Sequence, residues 1–167
     1  MNINQQLKAG FKYKIEHIRA GEVIDVEEVD NLIPTVGQNH VLNTVLKNGT
    51  PYAAWYVGIY EGNYTPTIAT TMTDIINSAT ECSAYNESVR QTLSLGTVAS
   101  GAVDNSASKA QFTMNATKTI YGGFVCSGST KGSSSDLLVS VVKFGTAKSV
   151  VATDLLLVTA SFTLTSS

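Results

Sequence analysis

The feature that most limits what this chain can become is an alternation of apolar and polar residues that recurs, with turn signals between the runs, from Ser88 to the C-terminus. Strands with one buried face repeat their apolar side chains every second residue. Several short runs of this kind, spaced by turn residues, point to stacked antiparallel sheets. Val89 to Leu95 alternates and is closed by Gly96, and Lys109 to Ala116 places Ala110, Phe112, Met114 and Ala116 on one face. Asn115 to Lys118 is short enough to close a hairpin into Thr119 to Ser127, where Gly122-Gly123 marks a bulge or a close backbone approach. Leu137 to Phe144 follows, and then Leu155 to Leu164, with Leu156, Val158, Ala160, Phe162 and Leu164 expected inward and Asp154 as the turn residue before them. Gly101 to Ser108 and Gly128 to Ser135 read as connections.

The N-terminal part carries the same period. Phe11, Tyr13, Ile15 and His17 alternate with Lys12, Lys14, Glu16 and Ile18; Ala20-Gly21 makes a turn, and Val23 to Val29 returns as the second strand of a hairpin. Lys8, Lys12, Lys14 and Arg19 precede an acidic run of Glu22, Asp25, Glu27, Glu28 and Asp30, which reads as opposite charges facing across the hairpin, with an electrostatic docking surface as the alternative.

Between these regions, Pro34-Thr35 opens a helix, with Thr35 and Gln38 spaced as a capping box. Val41, Leu42, Val45 and Leu46 fall on one face and are expected to pack, Gly49 is placed to end the helix in the left-handed conformation, and Pro51 forbids its resumption. Ala53 to Tyr60 is apolar on both faces, which fits a strand lying between the helix and a sheet, and Gly58 implies something close against it. Glu61 to Thr73 is a long loop of the sort that contacts partners, and Asp74 to Ala79 forms a helical turn. The fold expected is mainly β: an antiparallel β-sandwich or jelly roll of about eight strands with one α-helix. Residues 1–10 form a polar arm and residues 11–167 a single domain.

Composition bounds the function. Charged residues make up only 14%, so Ser, Thr, Asn and Gly must cover much of the surface. A usual defence against edge-to-edge association is thereby weakened, which favours a place in an assembly or pairing with itself. A net charge of −2 without a basic patch gives no reason to expect nucleic acid as a partner. No apolar run reaches the length of a membrane span, and the start, Met1 to Gln6, is too polar for a signal peptide, so synthesis in a cytoplasm without a membrane partner is expected. Cys82 and Cys126, with His17 and His40, lack zinc spacing and read as buried thiols, with a disulfide between them as the alternative; no cofactor is expected.

Chemistry is hard to assemble from these residues. His17 sits in a strand pattern and His40 on a helix, neither beside a nucleophile, and the acids after residue 60 are scattered singly. Glu81, Glu87 and Arg90 read as a structural salt bridge. No phosphate, dinucleotide or calcium loop is present, and the expectation is a protein that is not an enzyme. Trp55 and Tyr56 are expected in the core. The candidate contact residues are Gln5, Gln6 and Leu7 in the arm, with Tyr60, Tyr64 and Thr65.

Several stretches, in order and spacing, resemble a family of small structural proteins of tailed bacteriophages. They are Asn31-Leu32-Ile33-Pro34-Thr35 with Gly37-Gln38-Asn39-His40; Tyr56-Val57-Gly58-Ile59-Tyr60-Glu61-Gly62-Asn63-Tyr64-Thr65-Pro66; Thr80-Glu81 with Tyr85, Glu87 and Arg90; Val103-Asp104-Asn105-Ser106; Ile120-Tyr121-Gly122-Gly123-Phe124; and the closing Leu155-to-Leu164 strand. The resemblance runs from about residue 10 to the end. It implies a virion protein, similar to capsid decoration or cement proteins, that sits on the capsid exterior, binds the major capsid protein and copies of itself, and braces the shell. A tail or tail-fibre component, with a host glycan as ligand, is the alternative, because such components share the sandwich architecture.

Overall fold

The alternation at the start of the chain produces a hairpin. In the computed structural model, which describes residues 7–166, β1 (Leu7–Arg19) pairs antiparallel with β2 (Glu22–Asp30). Ala20 and Gly21 both take positive φ, 51° and 84°, the two-residue turn whose twist matches that of its strands. Tyr13, Ile15 and His17 are buried, as their spacing predicts. Lys12 meets Asp30 at 3.9 Å and Lys14 lies opposite Glu28, so opposite charges do face across the ladder. Asp25 and Glu27 turn instead to Lys148.

Nine strands and two helices occur among the described residues. In the first sheet β1 lies between β2 and β9 (Leu155–Ser166), whose far edge carries β5 (Ala102–Asp104) and β6 (Ala110–Thr113). The second sheet runs β4 (Gln91–Thr92), β3 (Tyr56–Tyr60), β7 (Lys118–Cys126), β8 (Leu138–Val150). All pairings are antiparallel. The sheets share one core, to which Tyr13, Ile15, Phe112, Leu156 and Val158 come from the first, and Val57, Ile59, Ile120, Val125 and Val142 from the second.

The second sheet is covered on its other face as well. Tyr60, Phe124, Leu138 and Val141 pack there with Met72, Ile75 and Ala79, from α2 (Met72–Asn77) and the chain just after it. This accounts for β3 being apolar on both sides, although its cover is α2 and not the longer helix. Asp74 accepts hydrogen bonds from Thr71 N at 2.8 Å and Thr71 Oγ1 at 2.9 Å, so the capping box starts this helix two residues before the expected turn. Gly58 is needed for a close approach: a Cβ there would stand 2.2 Å from Phe124 Cζ.

Several expectations are corrected. Leu7 to Gly10, assigned to the arm, begin β1 and pair with Ser166 to Thr163, while residues 1–6 lie outside the described residues. The strand expected over Val89 to Leu95 is only β4, because Arg90 is drawn into the interior and its amide donates to Ser129 O at 2.8 Å. The connection at Gly101 to Ser108 contains β5. Asn115 to Lys118 closes no hairpin: β6 pairs with β9 and β7 with β3 and β8, so this link crosses from sheet to sheet. The bulge at Gly122 is present, with Tyr60 packed against it.

Gly58→Ala should lower unfolding free energy by about 1–3 kcal/mol, the usual cost of overpacking, read as a lower urea midpoint with an unchanged slope.

Candidate functional site

Three buried polar clusters join the strands and loops. Arg90 is fully buried; Nε and Nη2 donate to Glu81 at 2.7 and 2.9 Å, Nη1 donates to Asp136 at 2.6 Å and to Gly128 O at 3.0 Å, and Nη2 also donates to Ser133 O at 3.0 Å. Burial opposes its charge, but the bonds to Glu81 outweigh this and hold its pKa above the usual arginine value. The ion pair with Glu81 matches the sequence reading; Glu87 instead accepts from Thr113 N and Oγ1.

Asp154, expected only to turn the chain, is a buried carboxylate. Arg19 donates to it from Nε at 3.0 Å and Nη2 at 2.7 Å, His17 Nε2 lies 2.8 Å away, and Val151 N donates at 2.9 Å. Arg19 first, against burial, then His17 and the Val151 amide hold its pKa far below the ordinary range. Lys148, nearly inaccessible, donates to Asp25 and Glu27, each at 2.6 Å. Its bonds depress Asp25; they also depress Glu27 against burial, with the Gly145 and Thr146 amides assisting. Glu16 is lowered in the same way by Lys109. Each cluster ties one segment to another. Among the described residues no group of three potential metal ligands converges, and burial raises the free thiols Cys82 and Cys126 to about 11.

The candidate contact residues disperse. Gln5 and Gln6 lie outside the described residues, and Leu7 is the first residue of β1. Tyr60 is corrected outright: it is fully buried, with its hydroxyl donating to Val142 O at 2.8 Å, so it can meet no partner. Tyr64 is half-buried and hydrogen-bonded to Thr70 Oγ1 at 3.0 Å; Thr65 is exposed and accepts from Lys143 Nζ at 2.9 Å.

The uncovered feature is one for which sequence predicted the opposite. Helix α1 (Thr35–Leu46) exists, but its apolar arc faces solvent: Val41, Leu42, Val45 and Leu46 are 38%, 55%, 71% and 74% exposed. The residue that seats the helix is Gly37, its one buried residue, where a Cβ would lie 2.8 Å from Val139 O. At 100° per residue Leu46 lies about 180° from Gly37, so seating the glycine turns the leucine outward. On the inner side the His40 ring packs against Tyr52, tilted, and Trp55, edge to face, with centroids 5.0 and 5.6 Å away. The caps also differ. Pro34 precedes the first turn without a side-chain cap, Gln38 Nε2 donates to Ile33 O at 2.8 Å, and Asn48 with φ 55° takes the left-handed place expected for Gly49.

Beside α1 the mouth of the two sheets is open. Phe11, Val41, Trp55, Leu95, Val103 and Phe162 line an apolar cavity of 160 Å³. Fold and surface together define a class: a two-sheet β protein with an exposed apolar helix face. A scan of protein-family models and a search of curated proteins each return no significant match to this chain.

Leu42→Gln and Leu46→Gln should each leave stability within about 0.5 kcal/mol of wild type, by urea titration at low protein concentration. The carboxylates of Asp154, Asp25, Glu27 and Glu16 titrate lower folded than unfolded, so their stabilisation is complete above the unfolded carboxylate range and lost as pH falls through the folded values. Tm should therefore be nearly level from about pH 8 to 5 and fall steeply below about pH 4, and Asp154→Asn should start lower and fall less steeply.

Proposed function

We propose that this protein is a structural component of a tailed-bacteriophage particle, a capsid decoration or cement protein built on a jelly-roll type of sandwich. The exposed apolar arc of α1 carries the reading. An arc whose side chains support no core of their own is explained when it is covered in an assembly, and weak contacts repeated on a symmetric lattice become strong in sum. The protein is made in the host cytoplasm and takes its place on the capsid exterior, with the major capsid protein and copies of itself as partners. It acts without catalysis: His17 is enclosed with Asp154, and His40 is packed between aromatic rings.

A glycan-binding fibre tip, the alternative, loses support because Tyr60 is buried and the Tyr64 hydroxyl is engaged by Thr70, which leaves no pair of free tyrosines on that loop for a sugar to stack on. The test is the stoichiometry of this chain against the major shell protein in purified particles, together with rebinding to shells stripped of it. Hundreds of copies are expected, with Leu42→Asp/Leu46→Asp lowering occupancy at least tenfold. A few dozen copies or fewer would assign the protein to the tail, and unchanged occupancy of the double variant would remove α1 from the interface.

A further inference from the structure

The gap between the two sheets beside α1 is a feature separate from the apolar arc that faces solvent. Its walls come from both layers. Phe11 of β1 and Phe162 of β9 lie opposite each other with ring centroids 4.9 Å apart, and Val103 of β5 is the next cross-strand partner of Phe162. From the second sheet and its flanks come Leu93, Val125 and Val139, all buried in the main core, with Trp55 packed against them. Val41 of α1 and Leu95, both exposed, form the rim.

All ten side chains that line this 160 Å³ space are aliphatic or aromatic, and among them only the Trp55 indole carries a polar atom. A water molecule is held in a protein interior by two to four polar partners, whereas an apolar cavity of about 150 Å³ stays dry and takes up benzene. The volume here is of that size, so it suits one ring or a chain of about six carbons. Filling it supplies the dispersion contacts that a gap forfeits. The walls are also braced from outside: Gly37 seats α1 directly on the backbone of Val139, and His40 and Tyr52 pack on Trp55 with centroids 5.6 and 5.4 Å away. Among the described residues no charged side chain lines the cavity, so it selects by size and by absence of charge.

We propose that this cavity is a binding site for a small uncharged hydrocarbon group, a single ring or a chain of about six carbons. A polar end on such a ligand stays at the Val41 and Leu95 rim, in water. The site goes beyond the capsid reading and does not rest on it, because it needs no partner surface and is complete in one copy of the chain.

Benzene and the straight-chain alcohols from butanol to decanol are the probes, and Trp55, the sole tryptophan, is the reporter. Titration of the purified protein should change its fluorescence saturably. Affinity along the alcohol series should rise about fourfold per methylene, the value of one buried CH2, and level off once about six carbons are inside. In methyl NMR of the wild type the resonances that shift should be those of Leu93, Val103, Val125 and Val139, with Val45 and Leu46 unmoved. Val103→Phe, which fills the space, should abolish saturation while circular dichroism shows the fold retained; if that variant does not fold, the wild-type methyl shifts decide. Affinity that keeps climbing through decanol, or shifts centred on Val45 and Leu46, would show adsorption to the exposed helix arc and overturn the proposal. So would the absence of a saturable response to benzene and hexanol, or unchanged binding in folded Val103→Phe. Shell occupancy is measured separately, so either reading can fail while the other stands.

Discussion

The guanidinium of Arg90 is the constraint on which one whole flank of the molecule depends. A buried cation is tolerated only where its N–H groups are answered. Here the answering groups come from two separate loops: Glu81 from the chain after α2, and Gly128, Ser133 and Asp136 from the connection between β7 and β8. The same cation lies 5.4 Å from the ring centroid of Phe124, whose ring also fills the space above Gly58. One side chain thus holds two loops, and that region of the second sheet keeps its cover of Met72, Ile75 and Ala79.

The contrast with α1 gives the molecule its asymmetry. The flank around Arg90 is sealed by polar bonds made in the interior. The helix, by comparison, is held by a glycine against β8, by packed aromatic rings and by Val41 at the mouth of the sheets, while Leu42, Val45 and Leu46 stand largely in solvent. Replacing its leucines is therefore expected to leave the fold in place. With few charges on the surface to keep copies apart, such an arc is available for association.

Local pattern revealed what was local. The β1–β2 hairpin and its turn, the inward faces of β6 and of β9 as far as Ala160, the close approach at Gly58 and the bulge at Gly122 all follow from alternation and turn chemistry within a few residues, whereas Leu164, expected inward, is exposed. What escaped depends on partners far along the chain. Periodicity shows that Val41, Leu42, Val45 and Leu46 share a face, but which side of a helix meets the protein is decided by the tightest approach, and that is Gly37 against Val139. β5 has too few residues to show a period and exists because β9 offers an edge. Asp154 carries no local mark of its role, since Arg19 and His17 reach it across 135 and 137 residues. Tyr60 resembled a contact residue only because nothing in its neighbourhood announced the backbone carbonyl of Val142. One sequence feature does set this region apart: thirty residues around α1 carry a single charge, on a chain otherwise dotted with acids and lysines.

The enclosure of Cys82 and Cys126 has a practical side. Both thiols are inaccessible and resist ionisation, so outside the reducing interior of a cell the native protein is not prone to cross-link through sulfur. A cysteine introduced at any outward position would be the sole reactive thiol of the folded chain. Fluorophores, spin labels or heavy atoms attached there would report from one chosen point, with the native pair left silent.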